Sequence, residues 1–358
     1  MTKVALCCGV GGTGKTTLSA ALALSFARAG ERVVVVTIDP ARRLADALGV
    51  EALDNEPRAV DIGGPGTLHA LMLDRKATWD EVVRRHASPG TAERLLANRY
   101  YRALSTRLSG SHEYMAVEKL HDLVGEGRWD RVVVDTPPTE HAIDFFRAPE
   151  RVRAILDRSM LRILVDPGSS ISGVAARAAL AILHRVAGEG VMGDLRDFFT
   201  LVGAMSSGFR ERAAQVAAVL GSSATRTWLV TDADAPDRDD LLGFLEELRS
   251  RRMTFAGFFV NRLQAVPTGP FPAERDLLAA DPGIAGWTEI VAELAALPIR
   301  ARDRAAAQRQ ATTAFVREAG GAPAWLVPEL PGGVRTIDGL SALAAHLPPR
   351  PAAEGPTA

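Results

Sequence analysis

Apolar positions recur along this chain in two rhythms. Short unbroken apolar runs at residues 4–8 ("VALCC"), 32–39 ("RVVVVTID") and 131–138 ("RVVVDTPP") predict strands buried on both faces, as in a parallel sheet. The segments "TWLVT" (227–231) and "FAGFFVN" (255–261) continue the series on either side of a helical "RDDLLGFLEELRSR". Residues 17–29 keep the other rhythm, with Leu18, Ala21, Leu22 and Ser25 at helical spacing, and Gly30 stops the helix. Strand, turn, helix and strand therefore follow one another in the first 39 residues as a βαβ unit. Alternation of this kind predicts an α/β fold, a mostly parallel sheet flanked by helices.

Two stretches break that alternation. Residues 77–126 and 150–220 are too long for loops in a compact α/β domain and carry helical periodicity, so they predict an α-helical insertion subdomain. The sheet-bearing core is then discontinuous, made of 1–76, 127–149 and 221–347. Residues 263–287, rich in Pro and Gly, predict an irregular connection, and the Pro-rich 348–358 a disordered tail. No internal repeat is visible.

The turn after the first strand carries chemistry. "GVGGTGKT", Gly9 to Thr16, matches G-x-x-x-x-G-K-[ST], a pattern whose backbone N–H groups cradle phosphate at a helix N-terminus. Gly9, Gly11, Gly12, Thr13, Gly14, Lys15, Thr16 and Thr17 are the candidate nucleotide-binding residues, so this is a P-loop NTPase reading. Lys15 can neutralise β/γ-phosphate oxygens and Thr16 can ligand Mg²⁺. Asp135, ending a buried strand before a proline break, is the second acidic motif and would hold the metal through a water. Asp39, ending the next strand, either orients the attacking water or caps the helix of "ARRLADAL". Lys15, Asp39 and Asp135 are thus the candidate catalytic groups, with ATP and Mg²⁺ as cofactors.

Composition narrows the partners. Lys+Arg total 42 against Asp+Glu 43, a net charge of -1, so no global basic field argues for nucleic acid or an anionic membrane surface. The candidate basic faces "RERAAQVAAV" and "ARDRAAAQRQ" read better as solvated helices than as a DNA-partitioning surface. Lysine occurs only at Lys3, Lys15, Lys76 and Lys119, and arginine supplies the remaining basic residues. The two cysteines, Cys7 and Cys8, are adjacent and form neither a bridge nor a metal site alone. With no signal-like start and no apolar run of membrane-spanning length, the expectation is a cytoplasmic protein.

Taken together, "GVGGTGKTT", "TIDPARRLADALG" and "DTPPTEHAIDFF" resemble the ArsA family of ATPases, which includes the arsenite-pump ATPase and the targeting factor for tail-anchored membrane proteins. The resemblance implies a switch I at Asp39 and Pro40, with Asp39 hydrolytic and Arg42 where a histidine often sits. It implies a switch II with Asp135, Thr136, Pro137 and His141, Glu140 replacing the usual glycine. It also implies that Asn261 of "FVNRL" contacts adenine. The residues alone leave His141 open as a helix start and Asn261 as a turn residue.

The family's loop carries a first lysine that reaches the partner's phosphates in a nucleotide-sandwich dimer, where this chain has Val10. The expected dimer therefore forms with itself or with a lysine-bearing paralogue. Neither the pump's cysteine cluster nor a Cys-x-x-Cys zinc pair is present, which disfavours arsenite as a direct ligand and a shared zinc. The resemblance implies a targeting or chaperone-like role with a hydrophobic client helix, or else an energising role for a membrane partner in anion efflux. Ile155, Met160, Leu161, Leu164, Met192, Phe198, Phe199 and Met205 either line a client groove or pack the insertion's own core. Glu113, Glu118 and Lys119 either couple the insertion to the switches or pair on a solvated helix face.

Overall fold

The chain, seen in a computed structural model, is described at residues 1–107, 111–155, 189–234, 238–266, 273–280, 282–330, 333–334 and 336–349. The run of elements begins β1 (Lys3–Gly9), α1 (Lys15–Arg28), β2 (Arg32–Thr37), α2 (Arg43–Leu48), β3 (Arg58–Val60) and β4 (Thr67–Met72). Four helices follow, α3 (Arg75–His86), α4 (Pro89–Ala97), α5 (Arg99–Arg107) and α6 (Ser111–Gly125), before β5 (Arg131–Asp135) and α7 (Thr139–Ile155). Next come α8 (Glu189–Leu220), β6 (Thr225–Asp232), α9 (Arg238–Ser250) and β7 (Thr254–Leu263). The chain closes with α10 (Glu274–Ala279), α11 (Trp287–Glu318), β8 (Ala324–Pro328) and α12 (Ile337–Ala344).

Among the described residues the strands form one sheet in the order β3-β4-β2-β5-β1-β6-β7-β8, parallel except for the β3–β4 pair. The central strands are buried on both faces, which is why they read as unbroken valine runs. Alternate side chains serve opposite layers. Ala5, Cys7, Val33, Val35 and Val133 pack under α1, α2 and α12, whereas Val4, Leu6, Val34, Val36, Val132 and Val134 share a core with α3 to α9. The loops at the C-terminal ends of β1, β2 and β5 meet at one edge, the usual place for a ligand in an open α/β sheet.

Several elements depart from the sequence expectation. β4 was hidden by His69, which interrupts its apolar run, and β3 and β8 are short edge strands. The helix after β5 begins at Thr139 and passes through Pro149, rather than starting near Glu150. The stretch 263–287 contains α10. Neither basic segment is wholly solvated: Arg212, Ala213 and Val216 of "RERAAQVAAV" and Ala305 and Gln308 of "ARDRAAAQRQ" are buried. Of the apolar insertion residues, Phe198 is buried; the other seven side chains lie outside the described residues. Most of the expected tail also lies outside them, while Pro348 is buried and its carbonyl accepts from Ser25 Oγ at 2.5 Å.

The charges of α6 are also not on a solvated face. Glu118 is fully buried and accepts from Tyr114 Oη on its own helix and from Arg212 Nε on α8. The other arm of Arg212 meets Asp122, which Arg85 of α3 also reaches at 2.6 Å, and buried Lys119 faces Glu81 at 3.6 Å. Ion pairs out of water hold only while both partners remain. Glu118→Ala, which leaves the buried Arg212 with Asp122 alone, is expected to cost about 3 kcal/mol in a urea titration, while Glu118→Leu combined with Arg212→Met costs clearly less. Equal losses in the two proteins would mean that the pair, rather than the stranded charge, sets the stability.

Candidate functional site

The loop between β1 and α1 is built for close backbone approach. A Cβ at Gly9 would stand 2.2 Å from the Val230 carbonyl oxygen, and one at Gly14 2.4 Å from Asn261 Nδ2. Gly14 is left-handed, φ 90°, and precedes α1 without any side-chain cap, so the first N–H groups of the helix are left for a ligand. Lys15 folds back onto the loop and donates from Nζ to the Val10 carbonyl at 2.8 Å, while Thr13 Oγ1 donates to the same oxygen at 2.9 Å. Val10 thus contributes through its backbone. Burial lowers the Lys15 pKa, and the Asp135 carboxylate opposes that shift.

Asp135 stands beneath the loop with 1% of its surface exposed. Its Oδ2 accepts from Thr37 Oγ1 at 2.8 Å, and Ser19 Oγ lies 3.4 Å from Oδ1. Desolvation pushes its pKa up to about 6, against the opposing pull of hydrogen bonds from Thr16 and Thr37 and of the Lys15 charge; Asp39 adds to the rise. The same Thr37 hydroxyl accepts from the Asp39 amide at 3.2 Å, so the ends of β2 and β5 are tied through one oxygen. Thr136 Oγ1 donates to the Cys7 carbonyl at 2.9 Å and locks the β5 exit to β1.

Asp39 forms the turn into α2: its Oδ1 accepts from the Ala41 amide at 2.9 Å, and its Oδ2 pairs with Arg43 at 3.2 Å. Asp39 does not cap α2, whose N-cap is Arg42 with no side-chain cap; it closes the turn before the helix instead. Lys15, Thr16, Thr17, Asp39, Pro40, Thr136 and Pro137 line one cleft of about 850 Å³, together with Gly11, Gly12 and Gly14. Asn261 stands behind the loop, donating from Nδ2 to the Thr13 carbonyl at 2.8 Å. His141 is on the first turn of α7; its side chain lies outside the described residues.

Sequence reasoning passed over Thr37, Ser19, Arg43, Glu113 as a cleft residue, and Arg262. Thr37 and Ser19 had a signal, being hydroxyls inside otherwise apolar runs. Arg262 did not: its φ of 59° and the register break between Val260 and Leu263 place its guanidinium against the Gly12 carbonyl at 2.9 Å and Asp232 at 2.8 Å. The donor set fits Mg-nucleotide. An uncapped helix start would face phosphate oxygens, Thr16 offers a hydroxyl, and a buried carboxylate needs positive charge nearby.

The family model for anion-transporting ATPases, ArsA, matches residues 2–190. The chain belongs to the ArsA ATPase family. Membership of an ATPase family implies nucleotide binding, in keeping with the loop and cleft. The ATPase GET3 of Malassezia globosa is 31% identical over 156 residues, 44% of each chain. Protein Rv2184c of Mycobacterium tuberculosis is 33% identical over 177 residues, 45% of this chain and 40% of its own. An ATPase ASNA1 homolog of Babesia bovis is 31% identical over 155 residues, 43% and 40%. These matches therefore span less than half the length of either partner. No described helix is long and apolar enough to cross a membrane.

A carboxyl whose folded pKa is raised destabilises the fold wherever the unfolded chain is ionised. Asp135 therefore costs nothing below pH 4, costs progressively more up to pH 6, and costs a constant amount above it. At about 1.4 kcal/mol per pKa unit, a rise of about two units makes that cost about 3 kcal/mol. In metal- and nucleotide-free protein, Asp135→Asn is expected to be more stable than wild type at pH 7.5 by a gain of that order, shrinking as pH falls to 4. A gain independent of pH would refute the buried charge.

Proposed function

We propose that this ArsA-family ATPase is a Mg²⁺-dependent ATP hydrolase whose ATP state favours a dimer and whose switch segments pass that state to the helical layer, in a targeting or chaperone-like role. The observation that carries the reading is the Asp135–Thr37–Asp39 connection, which runs from beneath the loop to the cleft that Lys15 and Asp39 line. Phosphoryl transfer asks the protein for positioning and charge rather than covalent chemistry. Lys15 leaves the Val10 carbonyl for the β/γ oxygens. Thr16 and, through water, Asp135 would hold Mg²⁺, which neutralises phosphate charge when bound. Arg43, 71% exposed at the cleft, swings from Asp39 toward phosphate and frees an oxygen of Asp39 to orient the attacking water. Asn261 holds the loop and reaches adenine. Pro40, Thr136, Pro137 and His141 move with the two aspartates as the switches.

ATP drives closure only as far as it binds the closed form better. With Val10 in the loop, the charge that crosses the dimer comes from a paralogue or from another residue. The domain reading keeps 1–76, 127–149 and 221–347 as the nucleotide core and the helical layer as the client or partner side, in the cytoplasm. The family description also favours a second reading, an energising subunit for an anion-efflux membrane partner. Cys7 and Cys8 are buried and burial pushes both thiols up, Cys8 to about 12, so neither offers a thiolate to a metalloid. No group of three His, Cys, Asp or Glu among the described residues could hold a metal.

Light scattering and phosphate release with Mg-ATP test the first reading. Lys15→Ala is expected to lose the ATP-dependent dimer, and Asp39→Asn to keep it with turnover down at least 100-fold. A protein that binds ATP yet stays monomeric and inactive sinks the homodimer and points to a lysine-bearing partner. Val10→Lys is then expected to restore dimer and turnover. Stimulation by arsenite or another oxyanion would favour the efflux reading.

A further inference from the structure

Glu113 stands in the first turn of α6 and lines the nucleotide cleft with Lys15, Thr16, Asp39 and Thr136. Its Oε2 is buried and has no hydrogen-bond partner among the described residues. Buried carboxylate oxygens are acceptors that native structures satisfy with a donor or a cation. Among the described residues no donor reaches this oxygen. Lys15 is engaged with the Val10 carbonyl, Arg43 with Asp39, and the Thr37 hydroxyl with Asp135. The helix that carries Glu113 is held in place from behind: Glu118 and Asp122 share Arg212 of α8, and Lys119 faces Glu81 of α3. A first-turn carboxylate also suits the dipole of its own helix, but that alone leaves the oxygen unsatisfied.

We propose that Glu113 is the helical layer's contact with the hydrated Mg²⁺ of a bound nucleotide, its Oε2 accepting a hydrogen bond from a metal-bound water. The inference rests on the Mg-nucleotide reading of the cleft. Charge selects this target. Phosphate oxygens repel a carboxylate and have no proton to give, whereas Mg²⁺ keeps several of its waters when it binds triphosphate, and those waters are strong donors. Satisfying Oε2 biases α6 toward the cleft, and the Arg212 link carries that bias to α8. Glu113 thus adds a second link from the nucleotide state to α8, beside the packing of α8 against α7.

Titration of Mg²⁺ into full-length protein holding a fluorescent ATPγS analogue tests this, beside hydrogen exchange over residues 189–220. Glu113→Gln and Glu113→Ala are expected to bind the analogue in EDTA as wild type does. Both should need at least tenfold more Mg²⁺ for half-saturation, the usual loss when an outer-sphere partner is removed. Both should also lose the Mg²⁺-dependent change in exchange. If both variants match wild type in Mg²⁺ requirement and exchange, Glu113 is only a dipole charge and the proposal fails. If wild type itself shows no Mg²⁺-dependent binding, the reading of the cleft has failed first.

Discussion

The site depends on one hydrogen bond, from the Thr37 hydroxyl to the buried carboxylate of Asp135. Burying a carboxylate is unfavourable unless donors and positive charge surround it. Hydroxyls from α1 and β2 and the Lys15 ammonium answer that demand in part, and the Asp39 charge works against them. Because Thr37 also accepts from the Asp39 amide, the partner that satisfies Asp135 fixes the turn where the second aspartate stands. A change at one strand end is therefore felt at the other, and cleft occupancy need not be transmitted through the rigid sheet.

The same rule governs the helical layer. Glu118, Asp122 and Arg212 are charges held out of water, and they clamp α6 to α8 because none of them tolerates losing its partner. The same helix carries Glu113, whose Oε2 has no hydrogen-bond partner among the described residues. A charge cluster beneath the loop and one in the helical layer are thus each compensated, and Glu113 stands in the cleft on the α6 that carries the second. The apolar packing that supports both is ordinary: valine strands, with leucine and alanine helices on each face.

Much of this was legible in the sequence for a physical reason. A strand buried on both faces must be apolar throughout, so β1, β2 and β5 declared themselves, and the glycines of the loop are needed wherever backbone approaches backbone. Where burial is one-sided or partial the signal fades. β4 includes His69, and the long α11 mixes alanine and arginine around Pro298 with no clean apolar stripe. The charge clusters were illegible for another reason. Glu118 and Arg212 are 94 residues apart, and only the fold decides that a helix charge faces a partner rather than water. Arg262 needed a register break to reach the loop, and no local pattern announces one.

The account rests on Asp135 being the carboxylate that a bound metal compensates. Carbon-13 NMR of its carboxyl measures this directly. The account predicts a midpoint near pH 6 in the free protein and a fall to the ordinary carboxylate range, about 4 or lower, once Mg-nucleotide is bound. The same midpoint with and without Mg-nucleotide would contradict it.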